Sequence, residues 1–174
     1  MQNRESQSNN HKSKRKKVIT VAALLVIFAV AAAAVFFYHD HGWFTLRNAD
    51  TGELYARYLV REGDWFSVGF IHSVNKSPLT DYYEFHDHSI YVEKTVYYGF
   101  GAGVQTELEE GQHLEYGDDG SMIITGFHRR IPDLIYIVGT VSDHIMVLNG
   151  NEPVSLSELC GARSKVRFSF DRLF

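Results

Sequence analysis

An uninterrupted apolar run over residues 18–38 constrains this chain more than any other feature of its sequence. At 1.5 Å per residue, a helix of that length spans about 30 Å, the thickness of the hydrocarbon core of a bilayer. The basic cluster HKSKRKK precedes the run, and the residues that follow it, HDHGWF, contain no Lys or Arg. The positive-inside rule therefore predicts a disordered cytoplasmic tail over residues 1–17, a single-pass anchor over residues 18–38 and an extracytoplasmic domain over residues 39–174, at the cell membrane.

The same run also has features of a cleaved signal peptide. Residues 18–30 have the length of the apolar region of a signal, and residues 31–34 are alanines that suit a signal peptidase. Apolar residues continue through Phe37, however, and Trp43 and Phe44 suit the outer membrane interface. We therefore favour an uncleaved anchor and retain cleavage as the alternative.

Charge is distributed unevenly along the chain. The sequence has 17 Lys and Arg against 21 Asp and Glu, and six of the basic residues precede residue 18, so the following domain is acidic. Binding to nucleic acid requires a clustered basic surface. The acidic charge of the domain therefore excludes nucleic acid as its partner. Cys160 is the only cysteine, so the domain has no internal disulfide and must be stabilised by its apolar core.

Residues 39–174 have the alternating pattern of β-strands and lack a long segment with helical periodicity. The alternation is clearest at residues 54–61 and 165–170. The other candidate strands are residues 65–72, 82–86, 89–98, 122–127, 134–139 and 145–148. Turns are predicted at Asp119-Gly120 and Asn149-Gly150, and a short helical turn is predicted from Ser155 to Gly161. We expect an all-β domain, an antiparallel sandwich or small barrel of about eight to ten strands.

The segment IHSVNKSPLTDYYEF concentrates polar groups in one loop and the strand that follows it. These side chains could converge on a small anionic or zwitterionic ligand, with Lys76 as the cation. The alternative is a solvated hairpin loop. The residues concerned are His72, Ser73, Lys76, Ser77, Thr80, Asp81 and Glu84.

Two further patterns are weaker indications of a site. Gly99, Gly101 and Gly103 in YYGFGAGV allow close approach to the backbone, but no helix follows them as a dinucleotide fingerprint requires, so a bulge, tight bend or partner contact is favoured. Nine histidines, two His-Asp-His triplets at 39–41 and 86–88, and an acidic stretch raise the question of a metal. His86 and His88 would share one strand face, yet they supply only two ligands, so we predict neither metal nor cofactor.

The stretches HSVNKSPLTDYYE, FGAGVQTELEEG and LCGARSKVRF resemble the domain-of-unknown-function family numbered 1850 across most of residues 43–174. Members of that family are small exported proteins, often encoded beside the fused membrane component of TAXI-type TRAP transporters. The resemblance therefore implies a partner rather than an activity. The family pattern corresponds here to His72, Ser73, Val74, Pro78, Asp81, Glu84, Gly101, Ala102, Gly103, Glu110 and Gly111.

Three functional hypotheses follow from these observations. The leading one is a non-enzymatic accessory of a TRAP-type solute transporter that contacts its membrane subunits or its solute-binding protein. The second is a small-ligand or cation-binding module that uses His72, Asp81, Glu84 and the glycine segment. The third, an exported hydrolase, needs His72 or Asp81 as a base for a distant nucleophile, because His72 and Ser73 are adjacent on a strand and point to opposite faces.

Overall fold

The computed structural model describes residues 2–74, 76–99, 105 and 107–173. The chain divides into two compact units, with the boundary in the sequence after Asp40. The first unit is helix α1, Gln2–Asp40. Its segment Arg15–Asp40 is long and apolar enough to cross a membrane once, which suits an anchor and a signal sequence alike. Residues 2–17 continue the helix instead of forming the disordered tail that we expected. They contain no Gly or Pro, so a helix begun in the apolar segment can propagate through them.

The second unit is an antiparallel β-sandwich, which confirms the predicted all-β class. One sheet has the strand order β2-β1-β11-β8, and the other has the order β10-β9-β3-β4-β5-β7-β6. One short helix, α2 (Leu156–Cys160), follows β10. The strands are β1 His41–Asn48, β2 Leu54–Arg61, β3 Trp65–Ile71, β4 Pro78–His86, β5 Ser89–Tyr97, β6 His113–Tyr116, β7 Met122–Arg130, β8 Leu134–Ile137, β9 Ile145–Leu148, β10 Val154–Ser155 and β11 Lys165–Arg172.

The predicted turns are present where the sequence placed them. Asn149 and Gly150 both have positive φ, at 50° and 71°, between β9 and β10. Between β6 and β7, only Gly120 has a positive φ. Helix α2 has the predicted cap, since the Ser155 side chain accepts a hydrogen bond from the backbone N–H of Glu158.

Two clusters of buried side chains fill the sandwich. The larger lies between the sheets and is rich in aromatic residues: the Phe44 ring centroid is 4.6 Å from that of Phe66 and 5.8 Å from that of Phe168. The smaller cluster involves β4, β5 and β7 of the seven-stranded sheet and comprises Leu79, Tyr97, Met122 and Ile124. The inner face of β4 contributes to both clusters, because Leu79 belongs to the smaller and Tyr83 to the larger.

The first and last strands of the domain lie side by side. Strand β11 is placed between β1 and β8, and its register with β1 runs from Gly42 opposite Arg172 to Asn48 opposite Val166. The buried Thr45 hydroxyl of β1 donates to the Asp171 carboxylate of β11 at 2.8 Å. The four-stranded sheet is therefore completed by the last strand of the chain.

Candidate functional site

A cavity of about 1250 Å³ is lined by β3, β4, β5, β7 and β8 and by the loops at their ends. The loop between β3 and β4 and the connection between β8 and β9 both contribute to its wall. These two segments are joined by a hydrogen bond in which the Ile71 N–H donates to Ser142 Oγ at 2.8 Å. Concave sites that combine apolar side chains with polar groups are typical of small-molecule binding, and the wall of this cavity carries both kinds.

Asp81 lies on the cavity wall because of the alternation of β4. Leu79, Tyr83 and Phe85 are buried on the inner face of this strand. Asp81 is separated from each of them by an even number of positions and therefore lies on the same face. The Asp81 carboxylate accepts a hydrogen bond from Thr95 Oγ1 at 2.7 Å and another from the Tyr136 hydroxyl at 3.0 Å. The site thus joins β4, β5 and β8, which belong to different sheets.

Thr95 faces Asp81 because β5 contains an irregularity. Between Val92 and Lys94 the pairing of β5 with its neighbours shifts, which changes the parity of the residues that follow. Val92 therefore faces inward before the shift, and Thr95 and Tyr97 face inward after it. Without the shift, Lys94 would take the inward position that Thr95 occupies.

Tyr83 and Tyr136 extend the hydrogen-bond network away from the carboxylate. Their hydroxyl oxygens are 2.6 Å apart, and because Tyr136 donates to Asp81, Tyr83 is the donor to Tyr136. Burial raises the pKa of the Asp81 carboxyl, although the hydrogen bonds from Thr95 and Tyr136 oppose the shift. Burial, and then the neighbouring Asp81 charge, raises the pKa of both tyrosines, so both stay protonated as donors.

His144 forms a second polar part of the cavity wall. Its ring is buried, and its centroid lies 4.6 Å from that of Phe70, against which it stacks. The Gly139 N–H donates to His144 Nδ1 at 3.2 Å, which places the proton of the neutral ring on Nε2. Burial lowers the pKa of His144, against the opposing effect of Asp143, so the neutral ring is favoured.

Asp143 is held beside His144 by the start of α2. Its carboxylate accepts hydrogen bonds from the Ser157 N–H at 2.9 Å and from the Ser155 hydroxyl. Burial acts to raise the pKa of Asp143, but the hydrogen bonds from the two serines and the His144 N–H outweigh it and leave the pKa lowered. The helix start thus fixes the segment that carries His144.

The structure brings some of the predicted site residues together and separates others. His72, Ser73, Lys76 and Asp81 all line the cavity. Glu84 does not, because it is three positions from Asp81 on β4 and lies on the opposite face. Thr80 lines the cavity as well, so five of the seven predicted polar residues lie on its wall, and Ser77 and Glu84 do not.

The glycine segment meets the polar loop at one described position. A Cβ added at Gly99 would lie 3.6 Å from Ser77 Oγ, so the two loops are neighbours. Gly101 and Gly103 lie outside the described residues. Beyond them Gln105 lines the cavity, and its carbonyl accepts a hydrogen bond from the Tyr97 hydroxyl at 3.4 Å.

The expectation that His86 and His88 share a strand face is wrong. Strand β4 ends at His86, and Asp87 and His88 form the turn to β5 with φ of 48° and 51°. His88 Nδ1 lies 2.6 Å from Glu62 Oε1, whereas His86 lies 3.5 Å from the Asp87 carboxylate. Among the residues that the structure describes, no group of three or more His, Cys, Asp or Glu side chains is placed to hold a metal ion.

Sequence reasoning missed several polar or charged residues that contribute to this site. Tyr83, Thr95 and Tyr136 lie within candidate strands, whereas Arg129 and His144 lie just outside the predicted ends of theirs. A polar side chain at an inward position of a strand is the signal that could have identified Thr95 and Tyr136, but the parity of β5 depends on the irregularity. The missed residues are Tyr83, Thr95, Arg129, Tyr136 and His144.

The model of the family described as Domain of unknown function (DUF1850) matches residues 66–153, which is just over half of the chain. The chain belongs to this family. Neither a curated protein nor a solved structure gives a significant match. The DUF1850 match runs from β3 through β9 and includes Asp81, Thr95, Tyr136 and His144, whereas β1, β2 and β11 lie outside it. The part of the chain that defines the family therefore also carries the cavity.

Proposed function

We propose that this DUF1850 protein is a non-enzymatic binding module that takes a small organic ligand into the cavity beside Asp81. It is held at the cell membrane by α1, with the N-terminus cytoplasmic and the β-domain extracytoplasmic. One observation carries the proposal: a cavity of about 1250 Å³ has a hydrogen-bonded carboxylate on a wall that combines apolar and polar side chains. A site built only for packing would not leave that carboxylate beside open space.

A thermal-shift experiment tests the binding function. Small organic cations, anions and neutral molecules are added singly to the protein, and a ligand that binds only the folded state raises the apparent melting temperature. The variant Thr140→Trp places a large ring at an exposed position that lines the cavity. Thr51→Trp adds the same ring at an exposed turn position outside the cavity wall and serves as the control.

We expect at least one compound to stabilise the wild type and the Thr51→Trp variant but not the Thr140→Trp variant. The absence of any shift with the wild type across all three classes would contradict the binding function. Equal shifts in both variants would place the binding site away from this cavity.

We also propose that the domain acts as an accessory of a TRAP-type transporter and contacts its membrane subunits or solute-binding protein. This second proposal is supported by the family, since its members are often encoded beside such transporters. It is compatible with the first, because a binding module near a transporter can present or sense a solute. The test is purification of the full chain from its native membrane in mild detergent, followed by mass spectrometry. Loss of all transporter subunits under these conditions would contradict it.

An exported hydrolase is less well supported than either proposal. Thr95 does bring a hydroxyl within 2.7 Å of Asp81. That hydroxyl donates to a carboxylate that also accepts a hydrogen bond from Tyr136, so the contact helps to satisfy a half-buried acid. A hydrolytic role would instead need the nucleophile's oxygen to face a substrate carbon while the base takes its proton.

A further inference from the structure

We infer that the ligand of this cavity is an organic cation whose ammonium group binds the Asp81 carboxylate; the inference rests on the binding function proposed above. The first observation is the composition of the donors around Asp81. Both are neutral hydroxyls, from Thr95 and Tyr136. Among the described residues, no Lys, Arg or His forms an ion pair with Asp81.

The number of acceptor positions leaves room for a ligand. A carboxylate has about four lone-pair positions, and the two hydroxyl donors, Thr95 on Oδ1 and Tyr136 on Oδ2, take one on each oxygen. Asp81 lines the cavity, so the lone-pair positions that Thr95 and Tyr136 leave open are available to a ligand there. A half-buried carboxylate without a positive partner gains most from a cationic donor, because a hydrogen bond between two ionised groups is stronger than one between neutral groups.

The remainder of the wall suits a cation that carries apolar groups. Four aromatic side chains line the cavity, and a ring face attracts an ammonium group within about 6 Å. Ile71, Ile137 and Val141 line the same cavity and are exposed. The aromatic residues are Phe70, Tyr83, Tyr97 and Phe127.

Two exposed, positively charged side chains at the cavity wall support the competing prediction of an anionic ligand. Lys76 and Arg129 line the cavity and would favour an anionic ligand. Both side chains are exposed and hence well solvated, whereas Asp81 lies between two buried neighbours of its strand, Leu79 and Tyr83. A charge pair formed at Asp81 is less screened by solvent than one formed at either cation, which favours the cationic ligand.

Calorimetric titration of the full chain in phospholipid nanodiscs separates these chemistries. The probes share a phenyl ring and a short chain and differ in the terminal group: phenethylamine, 2-phenylethanol and 3-phenylpropanoate. We expect phenethylamine to bind more tightly than the other two. Binding by the alcohol or the acid alone would overturn the cationic ligand while leaving the binding function intact, and no binding by any of the probes would count against both proposals.

Two charge-removing variants of the same strand locate the interaction. Asp81→Asn should weaken phenethylamine binding by about tenfold or more, because a charge-assisted hydrogen bond is lost. Glu84→Gln removes the same charge from the opposite face of β4 and should leave the affinity within about twofold. Equal effects of the two variants would overturn the assignment to Asp81.

A third variant decides the matter if Asp81→Asn does not fold. Arg129 is exposed, so Arg129→Gln leaves the core unchanged while removing a positive charge from the cavity wall. For a cationic ligand, we expect phenethylamine affinity to rise by about twofold as the repulsion is removed. A fall in 3-phenylpropanoate affinity together with unchanged phenethylamine affinity would favour the anionic ligand and overturn the inference.

Discussion

The Asp81 carboxylate is stabilised by hydrogen bonds from hydroxyl groups on other strands. Its direct donors lie on β5 and β8, 14 and 55 residues away along the chain. A half-buried carboxylate that loses one of its donors keeps its desolvation cost and has fewer hydrogen bonds to offset it. The stability of the domain is therefore sensitive to single hydroxyl groups around this residue.

Tyr136→Phe tests that sensitivity. The variant removes the hydroxyl that donates to Asp81 and accepts from Tyr83, with little change in volume. We expect the free energy of unfolding to fall by about 1–3 kcal/mol, the cost of leaving buried polar groups unsatisfied. Urea denaturation of residues 41–174 provides the measurement. Tyr91→Phe is the control, since the Tyr91 ring stacks on His128 at a partly exposed position; an equal loss in both variants would contradict the explanation.

The pH dependence of stability should carry a contribution from Asp81. Its pKa is raised in the folded state, so the folded state binds the proton more tightly than the unfolded chain does. The resulting stabilisation is complete below the ordinary carboxyl pKa and is lost as pH rises through the raised value. The other titratable groups of the network are Tyr83 and Tyr136, and the other titratable or charged groups of the cavity wall are His72, Lys76, Tyr97, Arg129, Asp143 and His144.

Asp81→Asn isolates that contribution. We expect the difference in unfolding free energy, wild type minus variant, to decrease as pH rises from about 4 towards neutrality. Subtraction of the variant removes the contributions of the other groups, including His144, whose lowered pKa destabilises the fold as pH falls below its ordinary range. A difference that is flat over this range would contradict the raised pKa of Asp81.

Strand irregularities determine which side chains reach the cavity. In β7, Met122 and Ile124 are buried before Gly126, whereas Phe127 and Arg129 line the cavity after it. Gly126 has a φ of 82°, and a Cβ there would collide with the carbonyl oxygen of Gly111. Glycine at this position therefore allows both the backbone conformation and the close approach of the preceding segment.

A matched pair of glycine substitutions separates those two requirements. Gly120 has the same φ of 82°, but its added Cβ would meet nothing within 4 Å. Gly120→Ala should cost about 1–2 kcal/mol of unfolding free energy, the penalty of a left-handed conformation for a residue with a side chain. Gly126→Ala should cost distinctly more, because the collision adds to that penalty. Equal losses in chemical denaturation would show that the contact with Gly111 is unimportant.

The same irregularities explain how far the sequence could predict the site. Period-2 alternation identified most of the strands, and the concentration of polar residues led to His72, Ser73, Lys76 and Asp81. Alternation cannot reveal a shift of parity, so Thr95 was missed. It also misses strands that lack alternation, such as β1, in which Phe44, Thr45 and Leu46 are buried in succession. Tyr136 was missed because its partner lies 55 residues away.

At the scale of the whole molecule, the N-terminal helix and the β-domain differ in the solvent in which their surfaces are stable. The described side chains of the segment Arg15–Asp40 are almost all exposed, including large apolar ones such as Leu25 and Phe28. Such a surface is stable in a bilayer and costly in water. The β-domain, in contrast, buries its own core.

Membrane fractionation tests the proposed anchoring. We expect the full chain to remain in the membrane pellet after alkaline carbonate extraction, and residues 41–174 expressed alone to remain in the supernatant. Intact-mass measurement of the exported protein then distinguishes an anchor from a signal. Recovery of a product that begins near residues 31–34 would contradict the anchor and establish cleavage.

The pairing of β1 with β11 also determines when this protein can finish folding. The first strand of the domain, β1, can pair with β11 only after residues 165–172 have been synthesised. Contacts that join the two ends of a chain form slowly, since a long loop must close before they stabilise anything. Until then β1 lacks one of its two partners, and the sheet edge that it leaves open is a place where incomplete chains can aggregate.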